Sequence, residues 1–128
     1  MSYYIGRKIA LPFEAVVART TEALKAEGFG IITQIDVKET FRQKLAVEFR
    51  NYRILGACNP AAAHEALQVE DKVGTMLPCN VVVQEITDGM VEVAAVDPVA
   101  SMQAIDNPEL AEMAQAIRSK LERAVQAI

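Results

Sequence analysis

The chain has 128 residues, a length that suits one domain over residues 1–128 with a complete hydrophobic core. Its 17 acidic and 13 basic residues give a net charge of −4, which argues against nucleic acid and anionic membrane surfaces as partners. No apolar run is long enough to span a membrane and no signal-peptide pattern opens the chain, so we expect a cytoplasmic protein whose two cysteines are reduced.

The N-terminal part of the chain predicts a strand followed by a long helix. Residues 3–9 favour a strand, and Pro12 is typical of the first turn of a helix. Gly28 is expected to end this helix in the left-handed conformation. One face of the helix carries residues at three- and four-residue steps, which predicts that this face is buried. These residues are Phe13, Val16, Val17, Thr20 and Leu24.

A second strand and a short helix follow. Residues 29–35 form a run rich in β-branched side chains, which is typical of a strand. Asp36 and Glu39 then form an Asp-x-x-Glu capping pattern. This pattern predicts a short helix that reaches about Leu45.

The third strand is predicted to run directly into another helix. Residues 52–58 favour a strand, and Asn59 and Pro60 provide an N-cap and a first-turn proline. The helix is expected to extend to about Val69. We expect it to lie within a long connection between two strands.

The clearest turn signal in the chain is Asp88-Gly89. It separates residues 81–86 from residues 90–96, and both segments are rich in β-branched side chains. An Asp-Gly pair between two such segments is typical of a β-hairpin. The fourth and fifth strands are therefore predicted to be antiparallel neighbours.

A long helix is predicted at the C-terminus, where Asn107 and Pro108 form a cap and a first turn. Its apolar face is expected to comprise Leu110, Met113, Ala114, Ile117, Leu121, Ala124 and Val125. The order of elements is β-α-β-β-β-β-α, with short helical insertions after Asp36 and after Cys58. This order predicts an α+β fold in which two long helices cover one face of an antiparallel five-stranded sheet.

Two Cys-Asn pairs mark the candidate site. Cys58-Asn59 ends the third strand and Cys79-Asn80 begins the fourth. If these strands are antiparallel neighbours, the end of one lies beside the start of the other. Both pairs are therefore expected at one rim of the sheet, with His64 on the helix between them.

Three interpretations of this group remain open. Cys58, ahead of a helix N-terminus, could act as a nucleophile with His64 as its base. Cys58, His64 and Cys79 could instead bind a metal ion, with zinc as the candidate cofactor, although three ligands at this spacing match no familiar zinc site. In the third interpretation both cysteines are small, buried and unreactive side chains.

A basic cluster offers a second candidate site. Its members are Arg42, Lys44, Arg50, Tyr52 and Arg53. Guanidinium groups bind carboxylates and phosphates with two parallel hydrogen bonds, so this cluster could hold a small anion. The competing interpretation is a solvated charged face.

Several strings of the chain resemble the bacterial and archaeal family catalogued as domain of unknown function 302. They are Gly28-Phe29-Gly30, YRILGACNP at residues 52–60, His64, LPCNVVV at residues 77–83 and Val96-Asp97-Pro98. The resemblance implies a TATA-box-binding-protein-like β-α-β4-α fold and homodimers, and it implies no established activity. The acidic charge of the chain does not fit the DNA binding of the protein that gives this fold its name.

The sequence thus leads to three functional hypotheses. The first is a homodimeric binding module with a small-ligand or metal pocket lined by Cys58, Asn59, His64, Cys79, Asn80 and Arg53. The second is a thiol-dependent enzyme or redox protein that uses Cys58 with His64. The third is a structural or interaction protein without pocket chemistry.

Overall fold

A five-stranded antiparallel sheet is the centre of the structure, a computed structural model that describes residues 2–128. The strands are β1 (Tyr4–Ile9), β2 (Gly30–Asp36), β3 (Tyr52–Cys58), β4 (Cys79–Thr87) and β5 (Met90–Val96). They lie in the order β1-β5-β4-β3-β2, and each neighbouring pair is antiparallel. The predicted α+β class and element order are confirmed.

Five α-helices accompany the sheet in the described part of the chain. They are α1 (Phe13–Ala26), α2 (Val37–Leu45), α3 (Pro60–Val69), α4 (Pro98–Ser101) and α5 (Pro108–Gln126), and a 3-10 turn covers Val73–Met76. The two long helices, α1 and α5, contact each other and pack on one face of the sheet. Across residues 2–128, no helix has the length and apolar character to cross a membrane.

The main core lies between the sheet and the two long helices. Strand alternation directs Val81 and Val83 of β4 into this core, together with Val91 and Val93 of β5. The predicted face of α1 is buried as expected. On α5, five of the seven predicted residues are buried, whereas Met113 and Ile117 are half-buried. A smaller cluster of Ala66, Val73 and Leu110 forms a second core beyond the rim of the sheet.

Local capping signals fix the ends of the helices. The Asp36 carboxylate accepts a hydrogen bond from the Glu39 amide at the start of α2, which confirms the capping pattern. Gly28 has a φ of 90° after α1, and Gly89 has a φ of 79° in the hairpin turn. A positive φ at both positions explains why glycine occupies them.

Asn107 holds α3 against α5. Its side-chain oxygen accepts hydrogen bonds from the amides of Glu109 and Leu110 at the start of α5. Its amide nitrogen donates to the carbonyl of Val69 at the end of α3, with a distance of 3.0 Å. One side chain thus caps one helix and anchors the C-terminal end of another.

Gly56 packs tightly against the side chain of Thr33 on β2, and this gives a test of the register. A Cβ added at Gly56 would collide with the Thr33 hydroxyl and would lie 2.9 Å from Cγ of Pro78. We expect Gly56→Ala to lower the free energy of unfolding by about 1–3 kcal/mol, because the Thr33 side chain would have to rotate and the ring of Pro78 would have to shift. Chemical denaturation followed by circular dichroism measures the change.

Gly30→Ala is the matched control, because a Cβ at Gly30 has open space around it. We expect that variant to stay within about 0.5 kcal/mol of the parent chain. Equal stability losses at Gly30 and Gly56 would contradict the register between β2 and β3.

Candidate functional site

The antiparallel pairing of β3 and β4 brings the two cysteines to one rim of the sheet. Ala57 is the direct partner of Cys79, so Cys58 lies one residue beyond that pair. Cys58 is half-buried and Cys79 is buried, and both thiols are free. The end of β3 and the start of β4 therefore lie side by side, as predicted, and both cysteines line the same cavity.

That cavity has a volume of about 330 Å³ and lies between the sheet rim, α3 and α5. From α3 it is lined by Ala62, Ala63, Ala66 and Leu67, and from α5 by Leu110, Met113, Ala114 and Ile117. The remaining wall comes from Phe29, Ile32, Ala57, Gly74, Leu77, Pro78, Pro98 and Met102, together with Asn59 and the two cysteines. Its small alanines on α3 leave the space that larger side chains would fill.

Charged groups are absent from the residues that line this cavity, and Asn59 is the one lining residue with a polar nitrogen or oxygen in its side chain. The Asn59 oxygen already accepts a hydrogen bond from the Ala62 amide, with a distance of 3.2 Å, as the cap of α3. The cavity therefore offers hydrocarbon and sulfur to an occupant. Such a surface favours apolar ligands over charged ones.

Cys79 is a poor nucleophile in this setting. Burial raises the pKa of its thiol from 9.0 to about 11, and the nearby Cys58 thiol adds to the rise. Removing the thiol from water disfavours the charged thiolate, and the thiolate is the reactive form. At neutral pH Cys79 is thus a small apolar side chain in the cavity wall.

His64 does not belong to the cavity. The residues of α3 that line the cavity share one face of the helix, and His64 lies on another face, where it is exposed. Across residues 2–128, no three His, Cys, Asp or Glu side chains are grouped so that they could hold a metal ion. The expected Cys58–His64–Cys79 group is therefore not assembled, because the helix turns the imidazole away from the thiols.

Asn80 and Arg53 also lie elsewhere. Strand alternation places Asn80 on the face of the sheet opposite to Cys79, where it is exposed in a shallow groove that Tyr4, Tyr52 and other residues line. Arg53 forms an ion pair with Glu14 at 2.7 Å. Of the six residues predicted to line the pocket, the structure brings together Cys58, Asn59 and Cys79.

Two of the four cationic residues in the basic cluster, Arg42 and Arg53, form ion pairs within the protein. Arg42 forms an ion pair with Glu39 one turn earlier on α2, and the pKa of Arg42 is raised by that hydrogen bond. Arg50 donates a hydrogen bond to Gln84 and lies over the ring of Phe49. These contacts support the alternative of a solvated charged face rather than a single anion site.

Sequence reasoning missed most of the cavity wall. Gly74 lies on the 3-10 turn, which was not predicted, and Met102 follows the short helix α4. On α3, however, the pattern of alanines and Leu67 was visible as an apolar face that excludes His64. That pattern was the available signal for the orientation of the helix.

Comparisons with known proteins agree with the fold. The family model described as "Domain of unknown function DUF302" matches residues 5–128. A crystal structure of an uncharacterized conserved DUF302 protein from Bacillus stearothermophilus is similar to this chain, with a TM-score of 0.92 and 27% sequence identity. The similarity covers 99% of this chain and 98% of the other. No curated protein matches the chain.

The raised pKa of Cys79 predicts slow alkylation. A thiol with a pKa of about 11 carries about one hundredth of the thiolate of a thiol with a pKa of 9.0 at pH 8. We therefore expect iodoacetamide to modify Cys79 at least about 100-fold more slowly in the folded chain than in denaturant. Site-resolved mass spectrometry measures the rate, and equal rates in the two states would contradict the assignment.

The same shift predicts how stability changes with pH. Since the pKa in the folded state lies above the ordinary value of 9.0, the neutral thiol stabilises the fold below about pH 9. We expect that contribution to be lost as the pH rises toward 11. Cys79→Ala lacks the titrating group, so the stability gap between the two proteins should narrow over this range. A gap that stays constant would contradict the burial of the thiol.

Proposed function

The chain belongs to the DUF302 family, and we propose that it is a small binding module whose rim cavity holds one apolar small molecule without converting it. The observation that carries this proposal is the cavity of about 330 Å³ with hydrocarbon and sulfur on its walls. We further propose that the module works in the cytoplasm as a homodimer.

The volume sets the size of the ligand. An engineered apolar cavity of about 150 Å³ already holds benzene, and this cavity is about twice as large. At about 20–30 Å³ for each non-hydrogen atom, it encloses roughly eleven to sixteen such atoms, and because the cavity is open to solvent, a ligand of about seventeen atoms fits with one end at the opening. Displacement of weakly held water by apolar groups would supply the binding free energy.

The chemistry of the walls sets the ligand class. Because no lining residue is charged, a ligand that is buried with its charge would lose its hydration without compensation. An uncharged hydrocarbon or aromatic ligand loses nothing in this way. The site therefore favours a neutral apolar ligand over an anionic one of the same shape.

Binding without catalysis agrees better with the geometry than thiol chemistry does. Cys58, the nucleophile of that hypothesis, lines the cavity, whereas His64, its expected base, lies outside the cavity as an exposed side chain. The Cys79 thiol is held neutral by burial. A nucleophilic mechanism needs a base within hydrogen-bond reach of the thiol. The cavity offers a shape and an apolar surface, which are the requirements of a binding site.

A pair of related probes tests the ligand class. N-phenyl-1-naphthylamine is neutral and fluoresces in apolar surroundings, and its 8-sulfonate differs by one anionic group. We expect the neutral probe to bind with saturable fluorescence and the sulfonate to bind at least about tenfold more weakly, because a buried sulfonate has no cationic partner there. Tighter binding of the sulfonate would contradict the proposed ligand class.

Matched variants locate the bound probe. Ala63 lines the cavity, whereas Ala61 is exposed on the same helix. We expect Ala63→Leu to weaken binding of the neutral probe by about fivefold or more, because the added atoms occupy the cavity, while Ala61→Leu stays within about twofold.

A second substitution guards against a folding defect at Ala63. Gly74 lines the cavity from the 3-10 turn, and a Cβ added there meets no other atom. The leucine side chain of Gly74→Leu can therefore extend into the cavity without a clash at its Cβ. We expect this variant to weaken probe binding as well. Unchanged affinity in both cavity-filling variants, with folding intact, would show that the probe binds elsewhere and would overturn the proposed site.

A further inference from the structure

A shallow groove, which we name the open-face groove, lies on the face of the sheet opposite to the two long helices. Val82 on β4, with Ala94 and Val96 on β5, forms its half-buried apolar floor. These residues alternate with the buried core residues of the same strands, so their side chains point away from the helices. The groove has a volume of about 330 Å³, which suits one small molecule.

All three tyrosines of the chain, Tyr3, Tyr4 and Tyr52, line the open-face groove. The rings of Tyr3 and Tyr4 meet edge to face, with 5.1 Å between their centroids. A Cβ added at Gly6 would lie 2.9 Å from Cε2 of Tyr4, so the ring of Tyr4 lies over Gly6. Because Gly6 is paired with Ala94, this ring borders the floor of the groove.

Among the described residues that line the groove, Glu92 alone is charged. Its Oε1 accepts a hydrogen bond of 3.1 Å from the amide nitrogen of Gln84, and the Gln84 oxygen accepts one of 2.9 Å from Arg50. These two bonds orient the carboxylate. Glu92 lies two residues from Ala94 on the same face of β5, which is about 7 Å along the strand. One ligand group can therefore contact both the carboxylate and the ring of Tyr4.

The cations near this groove leave the Glu92 carboxylate available. Arg50 lies over the ring of Tyr52, 5.5 Å from its centroid, so one tyrosine of the groove already binds a cation within the protein. Lys8 is paired with Glu92 in the register of β1 and β5, and it is exposed. Across residues 2–128, no ion pair joins these two side chains. Neither Arg50 nor Lys8 lines the groove.

We propose that the open-face groove binds a small organic cation, an ammonium ion that carries an apolar group. The ammonium group pairs with Glu92 and lies against the ring of Tyr4, where the carboxylate and the negative face of the ring both attract it. The apolar group rests on Val82 and Ala94. The same carboxylate repels anions, so the groove selects by charge.

This second site is independent of the rim cavity. The two sites share no lining residue, and their walls differ in chemistry, because the cavity has no charged side chain and the groove has one. They also differ in their natural reporter. The chain contains no tryptophan, and none of its tyrosines lines the cavity, so its intrinsic fluorescence reports on the groove.

The test follows the tyrosine fluorescence of the full chain during titration with benzyltrimethylammonium. The control ligand is 2,2-dimethyl-1-phenylpropan-1-ol, which is uncharged and carries a tert-butyl group in place of the trimethylammonium group. We expect a saturable change with the cation and binding of the alcohol at least about fivefold more weakly. Equal affinities for the two ligands, or no saturable change with the cation, would overturn the proposal.

Matched variants locate the bound cation. Glu92→Gln removes the charge and keeps the size of the side chain, so we expect it to weaken binding by about fivefold or more. Glu112→Gln makes the same change in net charge at an exposed position of α5 and is expected to stay within about twofold of the parent chain. Tyr4→Leu replaces the ring by an apolar side chain and is expected to weaken binding by about threefold.

Circular dichroism confirms that each variant is folded before its affinity is compared. Unchanged affinity in Glu92→Gln would overturn the proposed site, and unchanged affinity in Tyr4→Leu would overturn the placement of the cation against that ring. Equal losses in Glu92→Gln and Glu112→Gln would show that the net charge of the chain attracts the cation, which also overturns the site. None of these results bears on the rim cavity, whose neutral probe binds on the other side of the sheet.

Discussion

The antiparallel pairing of β3 with β4 is the constraint on which the rest of the site depends. This pairing places Ala57 opposite Cys79, so the chain must leave the sheet at Cys58 and return about twenty residues later at the same rim. The returning segment contains α3 and the 3-10 turn, and both pack beyond the end of the sheet. This segment contacts α5 through α3, and the cavity lies between the segment, α5 and the rim of the sheet.

Much of this arrangement was available from local sequence signals. Asn59 and Pro60 marked the start of α3 and Asp88-Gly89 marked the hairpin, whereas the placement of the two Cys-Asn pairs at one rim rested on the assumption that β3 and β4 are antiparallel neighbours. These signals succeed because a cap or a tight turn depends on a few neighbouring residues. Successive side chains of a strand point to opposite faces of the sheet, so Asn80 cannot share a pocket with its neighbour Cys79. This rule was also available from the sequence and would have excluded Asn80 from the predicted pocket.

The cavity itself could not be predicted in this way. Its walls combine α3, α5, the 3-10 turn and the segment after α4, and their spacing is set by long-range packing such as the bond from Asn107 to Val69. A run of alanines indicates a close helix contact as readily as an empty space. His64 attracted attention as the single histidine of the chain, but helical geometry placed it outside. Residue type proved a weaker guide there than position on the helix.

The account is tested most directly by NMR of the methionine methyl groups during titration with N-phenyl-1-naphthylamine. Met102 and Met113 line the cavity, whereas Met76 and Met90 do not, so the chain contains its own reference signals. We predict that the signals of Met102 and Met113 shift with the same saturation curve while those of Met76 and Met90 stay in place. Shifts confined to Met76 or Met90, or no shift at Met102 and Met113 despite probe fluorescence, would contradict an apolar ligand in this cavity.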